Sequence, residues 1–298
     1  MPERTPILRL DDVRYRWPGR TSFGLHIPNL TLAQSETALL LGESGSGKST
    51  LLSMICGTVI AQSGRVSVAG QDIAALSVGK RDRFRAEKIG LIFQQFNLLP
   101  FASVYDNILL PLRFAPHRRN RVTNLNAEVT KLCRNLGLPD DVVTAQAGTL
   151  SVGQQQRVAA ARALIGTPPL IIADEPTTAL DVTVQKRILE LLRELCAENN
   201  TGLIFITHDL GVVSEIADRV LVMYQGEVVE EGSVSELLTS PNEPYTKALL
   251  ACRPKLNNNP VRLPVVSDFL EVNEKRVVSQ KRESASQEVV LRVNNLGV

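Results

Sequence analysis

Residues 42–49 read Gly-Glu-Ser-Gly-Ser-Gly-Lys-Ser and match the pattern G-x-x-x-x-G-K-[ST]. Glycines at this spacing let backbone N–H groups point at phosphate oxygens, and a helix that begins near Lys48 adds the positive end of its dipole. The lysine ammonium reaches the β- and γ-phosphates, and the Ser49 hydroxyl suits Mg²⁺. The sequence therefore predicts a nucleoside triphosphate site made by Gly42, Ser44, Gly45, Ser46, Gly47, Lys48, Ser49 and Thr50.

Two carboxylates, Asp174 and Glu175, follow the apolar run 170–173. Parallel sheets bind ligands at the carboxyl ends of their strands, so both acids are expected beside the phosphates. We expect Asp174 to hold Mg²⁺ through water. Glu175 can orient and deprotonate the water that attacks the γ-phosphate.

Two more polar side chains follow apolar runs in the same way. His208 comes after residues 204–206, and a neutral imidazole there can donate one hydrogen bond to the γ-phosphate. Gln94 follows residues 89–93, and its amide can contact Mg²⁺ or the attacking water. Gln95 is the competing choice, and we favour Gln94.

The apolar runs also predict the elements that position these residues. Short runs at 37–41, 89–93, 170–173, 203–206 and 220–223 are typical of strands buried on both faces. Helical patterns lie between them, most clearly at 182–197, so we expect a largely parallel α/β sheet. Residues 7–10 and 23–32 resemble β segments, the first broken by Asp11 and Asp12 and followed by a turn at 17–20. Residues 96–165 show helical periodicity without a buried strand, which indicates a helical insert.

Composition narrows the class of protein. The chain has 298 residues, 44% hydrophobic and 21% charged, so it is expected to be globular. A net charge of +2 does not indicate nucleic-acid binding. No apolar run reaches the roughly 18–20 residues of a membrane span, and residues 1–4 lead into no secretory signal. Cys56, Cys133, Cys196 and Cys252 are too scattered for a metal site, so we expect buried thiols in a cytosolic protein.

The composition changes after residue 250. Residues 254–264 are rich in proline and asparagine, and 271–288 are polar like a linker. Residues 290–296 repeat the pattern of 7–13, either by chance or because a second copy of the first domain begins there. We therefore expect an ATPase domain at 1–252, a polar extension at 253–288, and the possible start of a second module at 289–298.

Residues 150–157, Leu-Ser-Val-Gly-Gln-Gln-Gln-Arg, resemble the LSGGQ signature of the ABC ATPase family. The other motifs stand in the family's order: residues 42–50 as Walker A, Gln94 as the Q-loop, 173–175 within Walker B, 179–181 as the D-loop and His208 as the switch histidine. The resemblance covers about residues 7–250. It implies an α/β P-loop NTPase of ABC type, with a mainly parallel sheet, N-terminal antiparallel β segments and an inserted helical subdomain at about 96–165.

The resemblance also implies further site residues. Trp17 stands where the family places an aromatic ring on adenine, with Tyr15 as the alternative and core packing of either ring as a third. Ser151, Gly153, Gln154 and Asp181 are implied to contact nucleotide held by another subunit. Val152 replaces a signature glycine, which would cost at least ~1–2 kcal/mol if φ were positive there. We expect that position to tolerate a side chain and the site to be active.

The function implied is that of the ATPase subunit of a membrane transporter. Two ABC ATPase domains, from identical or different chains, would bind two ATP-Mg²⁺ head to tail, with Ser49, Gln94 and Asp174 at the metal. The subunit would bind a permease on the cytoplasmic face of the membrane. The alternative is a soluble ABC ATPase of DNA repair or translation, although this chain lacks their usual insertions and basic extensions.

Different segments of the chain resemble two different subfamilies of ABC ATPases. Residues 90–112 are similar to lipoprotein-releasing and macrolide-efflux ATPases, whereas residues 181–185, 209–213 and 241–246 are similar to oligopeptide and dipeptide importer ATPases. A hybrid origin is one hypothesis. The sequence predicts neither the substrate, nor the direction of transport, nor the permease.

Overall fold

The computed structural model describes residues 6–19, 24–176, 182–207 and 217–252, with the backbone alone for 182–187. These residues belong to two compact units, one that ends at Leu237 and one that begins at Leu238. The strands are β1 (Pro6–Arg16), β2 (Gly24–Ala33), β3 (Thr37–Leu41), β4 (Ser63–Val68), β5 (Gln71–Asp72), β6 (Ile89–Ile92), β7 (Leu170–Asp174), β8 (Gly202–Ile206), β9 (Arg219–Tyr224) and β10 (Glu227–Ser233).

The helices in this part of the chain are α1 (Lys48–Ile55), α2 (Val78–Lys88), α3 (Val104–Leu109), α4 (Pro116–Arg121), α5 (Leu125–Asn135), α6 (Val152–Leu164), α7 (Val182–Glu198), α8 (Val234–Thr239) and α9 (Pro244–Ala251). Three short 3₁₀ segments join them, at Leu110–Arg113, Asp140–Thr144 and Ala147–Thr149. The predicted helix at 182–197 is therefore present as α7. Of the second unit, the described residues end at Cys252, so the predicted linker at 253–288 and second module at 289–298 lie outside them.

The ten strands form one sheet in the order β5-β4-β1-β2-β10-β9-β3-β8-β7-β6. The pairings β9–β3, β3–β8, β8–β7 and β7–β6 are parallel. All five residues of β3 and of β8 are buried, as expected for apolar strands covered on both faces. The predicted parallel core is confirmed, and the carboxyl ends of its strands meet at one edge of the sheet.

The N-terminal part of the sheet is antiparallel, as predicted, with β1 paired to both β2 and β4. The prediction that Asp11 and Asp12 break the first strand is wrong. The strand continues through them, because Asp12 adopts a left-handed φ of 41° and the pairing with β4 shifts its register there. Gly64 permits this irregularity, since a Cβ at that position would lie 2.2 Å from the Asp12 carbonyl oxygen.

Helices occupy the chain between β6 and β7, in agreement with the predicted insert. Within it, the buried Arg118 of α4 donates to the carbonyl oxygens of Ala86, Ala163 and Ile165. Glu87, also buried, accepts hydrogen bonds from the backbone N–H groups of His117 and Arg118. These contacts tie α4 to the ends of α2 and α6, and burial lowers the pKa of Arg118 to about 10.

The cysteines behave largely as expected. Cys56, Cys133 and Cys196 are buried, and Cys252 is partly exposed. Burial raises the pKa of the Cys56 and Cys196 thiols to about 12. Among the described residues, no helix combines the length and apolar character needed to cross a bilayer.

Candidate functional site

The loop between β3 and α1 adopts backbone conformations that favour glycine. Gly42, Gly45 and Gly47 have φ values of 155°, 85° and 110°. A Cβ on Gly42 would lie 2.4 Å from the Met223 carbonyl oxygen and 2.6 Å from the Ser46 hydroxyl. The loop can therefore pass this close to β9 only because residue 42 has no side chain.

Lys48 begins helix α1 and folds its side chain over this loop. Its ammonium donates to the carbonyl oxygens of Gly42 and Glu43, at 2.6 and 2.8 Å, and to the Ser46 hydroxyl at 3.3 Å. Burial lowers the pKa of Lys48, while the charges of Glu175, Asp174 and Glu43 oppose that shift. The predicted loop residues and the two predicted carboxylates therefore share one electrostatic environment.

The carboxylates lie at the end of β7. Burial raises the pKa of Asp174, the charge of Glu175 raises it further, and Lys48 opposes the shift. Glu175 has left-handed φ of 43°, and its backbone N–H donates to the Ile206 carbonyl oxygen on β8 at 2.9 Å. Since a left-handed conformation is uncommon for a non-glycine residue, this turn is a locally strained position at the functional edge of the sheet.

Gln94 lies in the loop after β6 and reaches Glu175. Its amide nitrogen donates to a Glu175 carboxylate oxygen at 3.1 Å, although the two residues are 81 positions apart. The structure thus places Gln94 beside the proposed catalytic carboxylate. Gln95, the alternative, contributes a backbone carbonyl that accepts a hydrogen bond from the Asn97 N–H at 2.6 Å.

Arg162, which no sequence motif indicated, holds the rest of the loop after β6. Phe96 and Asn97 have φ values of 56° and 50°, two consecutive left-handed residues. The guanidinium of Arg162, on helix α6 and only 8% exposed, donates to both of their carbonyl oxygens, at 2.7 Å for Asn97. Burial lowers the pKa of Arg162. Nothing in the local sequence signals this contact, because its partners lie more than 60 residues apart.

The N-terminus of α6 carries the predicted signature residues. The Ser151 hydroxyl accepts from the Gln154 N–H at 3.3 Å, and the Gln154 side-chain oxygen accepts from the Ser151 N–H at 3.0 Å, which forms a capping box. Gly153 lies in the same first turn. Val152 is the first residue of helix α6 and does not have a positive φ, so the strain considered for that conformation does not arise, and its side chain is 47% exposed.

Trp17 lies just after β1. Its indole N–H donates to the Thr50 hydroxyl at 3.1 Å, which brings the ring to helix α1 next to the phosphate loop. The ring is 36% exposed and meets Tyr15 edge-on, with centroids 5.2 Å apart, whereas Tyr15 packs against the buried core. A pocket of about 770 Å³ adjoins both rings and is also lined by Gln62, so the difference between Trp17 and Tyr15 lies in their exposure. This geometry favours Trp17 over Tyr15 as an exposed stacking surface.

Two predicted site residues, Asp181 and His208, lie outside the described residues. Ser44 lies exposed at the tip of the phosphate loop, and Ser49 is exposed in the first turn of α1. The structure therefore brings together Lys48, Asp174, Glu175 and Gln94. The signature residues Ser151, Gly153 and Gln154 instead form the N-terminus of helix α6.

The phosphate loop between a buried parallel strand and a helix, with carboxylates at the end of a neighbouring strand, defines a P-loop nucleotide-binding ATPase. A model of the family described as "ABC transporter" matches residues 25–178. The chain therefore belongs to the ABC transporter family, and it is an ATP-binding, ATP-hydrolysing subunit of such a transporter. The comparisons favour this class over a soluble ABC ATPase of DNA repair or translation.

Relatives among curated proteins are import subunits by name. A putative peptide import ATP-binding protein of Brucella ovis is 39% identical over 275 residues, which cover 86% of this chain and 80% of that protein. A putative peptide import ATP-binding protein of Brucella melitensis is 41% identical over 276 residues, with the same coverage. The glutathione import ATP-binding protein GsiA of Escherichia coli is 38% identical over 289 residues, which cover 90% of this chain and 46% of GsiA.

Solved structures agree with the fold. CbiO1 of Clostridium perfringens, described as part of an ABC transporter complex, matches with a TM-score of 0.69 and 29% identity over 79% of this chain and 91% of that one. The dimeric bacterial ABC transporter cassette MJ0796 matches with a TM-score of 0.66 and 31% identity over 76% of this chain and 98% of that one. The predicted ABC-type fold is therefore confirmed.

Proposed function

We propose that this chain is the ATPase of a peptide importer and works as a head-to-tail pair of ABC domains bound to a permease. The importer assignment rests on relatives named for peptide import that match 86% of the chain. A match of that extent includes residues from both halves. The similarity of residues 90–112 to efflux ATPases stays a prediction, as does a hybrid origin.

Lys48 and the loop before it are proposed to bind the β- and γ-phosphates of ATP. Gly42 supports this role, because its missing Cβ leaves room at the loop where a side chain would strike Ser46. The lysine ammonium now donates to loop carbonyls and can transfer those hydrogen bonds to phosphate oxygens. Trp17 is proposed to stack on the adenine, with Thr50 holding its indole N–H.

Magnesium fits the proposed site by the chemistry of its donors. The Ser49 hydroxyl, the Asp174 carboxylate and the Gln94 amide oxygen are hard oxygen ligands of the kind that Mg²⁺ prefers. These three residues would hold the ion, which when bound neutralises charge on the β- and γ-phosphates. Asp174 is partly buried at the end of β7, and the positive charge of Lys48 opposes the rise in its pKa that burial and Glu175 cause, as a bound cation would.

Glu175 is proposed to act as general base. Its carboxylate accepts a proton from the attacking water, whose oxygen bonds to the γ-phosphorus while the bond to the β–γ bridging oxygen breaks, giving ADP and phosphate. The Gln94 amide contacts the same carboxylate at 3.1 Å and orients it. His208 is proposed to donate a hydrogen bond to the γ-phosphate.

The N-terminus of α6 is proposed to complete the site of a second ABC domain. Ser151 caps this helix, and the backbone N–H groups of its first turn, including that of Gly153, suit an anion. Gln154 and Asp181 are proposed to contact the same nucleotide. The second domain belongs to an identical or a different chain.

The permease is proposed to bind a groove of about 850 Å³ beside α2 and β6, which would hold the chain at the cytoplasmic face of the membrane. Its lining is apolar at Leu91, Phe93 and Phe114 and basic at Arg83 and Arg113. Phe114 is 64% exposed, a large apolar surface in the helical insert. The lining suits a permease segment that is apolar with acidic side chains.

The test is co-purification of the tagged chain with a peptide-importer permease and, separately, with an efflux-type permease. We expect membrane sedimentation only with the importer permease, and at least tenfold less of it with Phe114→Asp. Ala74→Asp adds the same charge at an exposed position that does not line the groove and should bind normally. Binding to the efflux permease alone would refute the importer assignment, and full binding by Phe114→Asp would refute the groove.

A further inference from the structure

The side-chain amide of Gln62 pairs with the backbone of Arg16 at the end of β1. Its oxygen accepts from the Arg16 N–H at 3.0 Å, and its nitrogen donates to the Arg16 carbonyl oxygen at 3.1 Å. One donor and one acceptor on the same residue are what a neighbouring strand would supply. Gln62 thus uses its side chain as a substitute peptide group.

This pairing begins where the regular ladder ends. The pairing of β1 with β4 stops at Arg14 and Ser63, and the backbone N–H of Gln62 adds one more bond to the Arg14 carbonyl oxygen at 2.9 Å. Beyond that point, the side chain of Gln62 holds Arg16 on the β4 side. Three hydrogen bonds from Gln62 therefore hold the last residues of β1, and Arg16 lies 46 positions from Gln62 in the sequence.

Trp17 follows Arg16 directly. Its ring is fixed from one end by the bond from its indole N–H to Thr50 and from the other by the backbone that Gln62 holds. Gln62 and Trp17 also line the same pocket. Loss of the amide pairing would leave Arg16 held on the β2 side alone, through its pairing with Gly24, so the Trp17 ring that follows would sample more orientations.

We propose that Gln62 is a positioning residue for nucleotide binding, which presets the Trp17 ring for the adenine base. This inference rests on the proposed role of Trp17. Preorganisation of the ring lowers the ordering cost of binding, so the effect should appear in ATP affinity and KM and not in kcat. Binding of the phosphate groups should not depend on the orientation of the Trp17 ring.

The experiment uses the fact that Trp17 is the single tryptophan of the chain, so its fluorescence reports this site alone. Calorimetric ATP titrations and steady-state kinetics are compared for the full-length wild type and for Gln62→Ala, Gln62→Glu and Trp17→Ala, and Trp17 fluorescence is followed in addition in the variants that keep the ring. For Gln62→Ala we expect KM and the dissociation constant of ATP to rise about threefold to tenfold with kcat unchanged within twofold. Gln62→Glu keeps the acceptor but loses the donor, so its effect should be intermediate.

Three further measurements distinguish a positioning role of Gln62 from a merely structural one. Inhibition by inorganic triphosphate, which has no base, should be equal in Gln62→Ala and the wild type. The double variant Trp17→Ala/Gln62→Ala should bind ATP like Trp17→Ala alone, because Gln62 acts through the ring. Gln71→Ala removes an exposed side chain that donates to the carbonyl oxygen of the next residue, Asp72, and should behave as wild type.

Unchanged ATP affinity in Gln62→Ala, while Trp17→Ala weakens it, would overturn the inference but leave the proposed role of Trp17 intact. Unchanged affinity in Trp17→Ala would instead overturn the stacking role itself. A fall in kcat, or equal weakening of inorganic triphosphate, would show that Gln62 acts on the whole fold and would also overturn the inference.

Discussion

The two ends of the proposed nucleotide site are built in different ways. At the phosphate end, residues 42–50 are consecutive, and the glycines that shape the loop stand next to the lysine it presents. At the base end, Trp17 is held by Thr50 and, through Arg16, by Gln62, each distant in sequence. A site encoded locally is visible as a motif, whereas one assembled by long-range contacts is not.

The phosphate end also contains long-range contacts. Arg162, from the helix that Ser151 caps, donates to the carbonyl oxygens of Phe96 and Asn97 just after Gln94. Gln94 in turn contacts Glu175. The difference between the two ends is therefore one of degree, and substitutions can measure it.

Lys48→Ala should have the largest effect. It removes the only side-chain cation proposed to contact the phosphates, so turnover should fall at least ~100-fold and inorganic triphosphate should no longer compete. Steady-state ATPase and binding assays measure this, with the exposed Lys131→Ala as control. Retention of more than a tenth of wild-type turnover would show that the loop backbone suffices.

Arg162→Ala should reduce kcat by about 10- to 100-fold with a smaller change in KM, because a misplaced Gln94 disturbs Glu175 more than it disturbs ATP binding. Arg162→Lys can bond one of the two carbonyls and should recover part of the loss. Arg157→Ala serves as control, because it removes another guanidinium of α6, one that donates to the Gly137 carbonyl oxygen instead of to the loop after β6. Thermal unfolding of each variant separates misfolding from mispositioning, and a kcat equal to wild type in folded Arg162→Ala would refute the coupling.

Trp17→Ala should raise KM for ATP by about tenfold and leave kcat within threefold, since stacking on one base contributes roughly 1–3 kcal/mol. The comparison of ATP with inorganic triphosphate assigns the loss to the base end. Equal loss for both ligands would contradict the division of the site into two ends.

Val152→Gly should have the smallest effect. Val152 occupies an ordinary helical position and is half exposed, so restoring the family glycine should change turnover by less than about twofold. A gain of tenfold or more in ATPase activity would show that the valine hinders the closed site.

Much of the fold around the site could be predicted from the sequence. The buried strands β3, β7 and β8 were predictable because each is an unbroken apolar run. The capping box at Ser151 and Gln154 follows from local spacing. Strands β4 and β10 were not predicted: β4 begins with exposed polar residues, and β10 is charged and only partly buried.

The missed site residues have a common physical reason. Arg162 and Gln62 act on backbone groups, and a backbone carbonyl or N–H leaves no mark in the sequence of its partner. The left-handed turn at Phe96 and Asn97 likewise could not be predicted from those two residues, because Arg162 stabilises it from helix α6. Such positions become visible only when the fold brings distant segments together.

The most direct test of the account is ATP turnover and oligomeric state of Glu175→Gln, measured side by side by phosphate release and size-exclusion chromatography with ATP. The amide cannot accept the proton from water, so turnover should fall about 10²- to 10⁴-fold while ATP still binds and a dimer accumulates. Turnover within twofold of wild type would contradict the role of Glu175 as general base. Loss of turnover without an ATP-dependent dimer would contradict the head-to-tail pair.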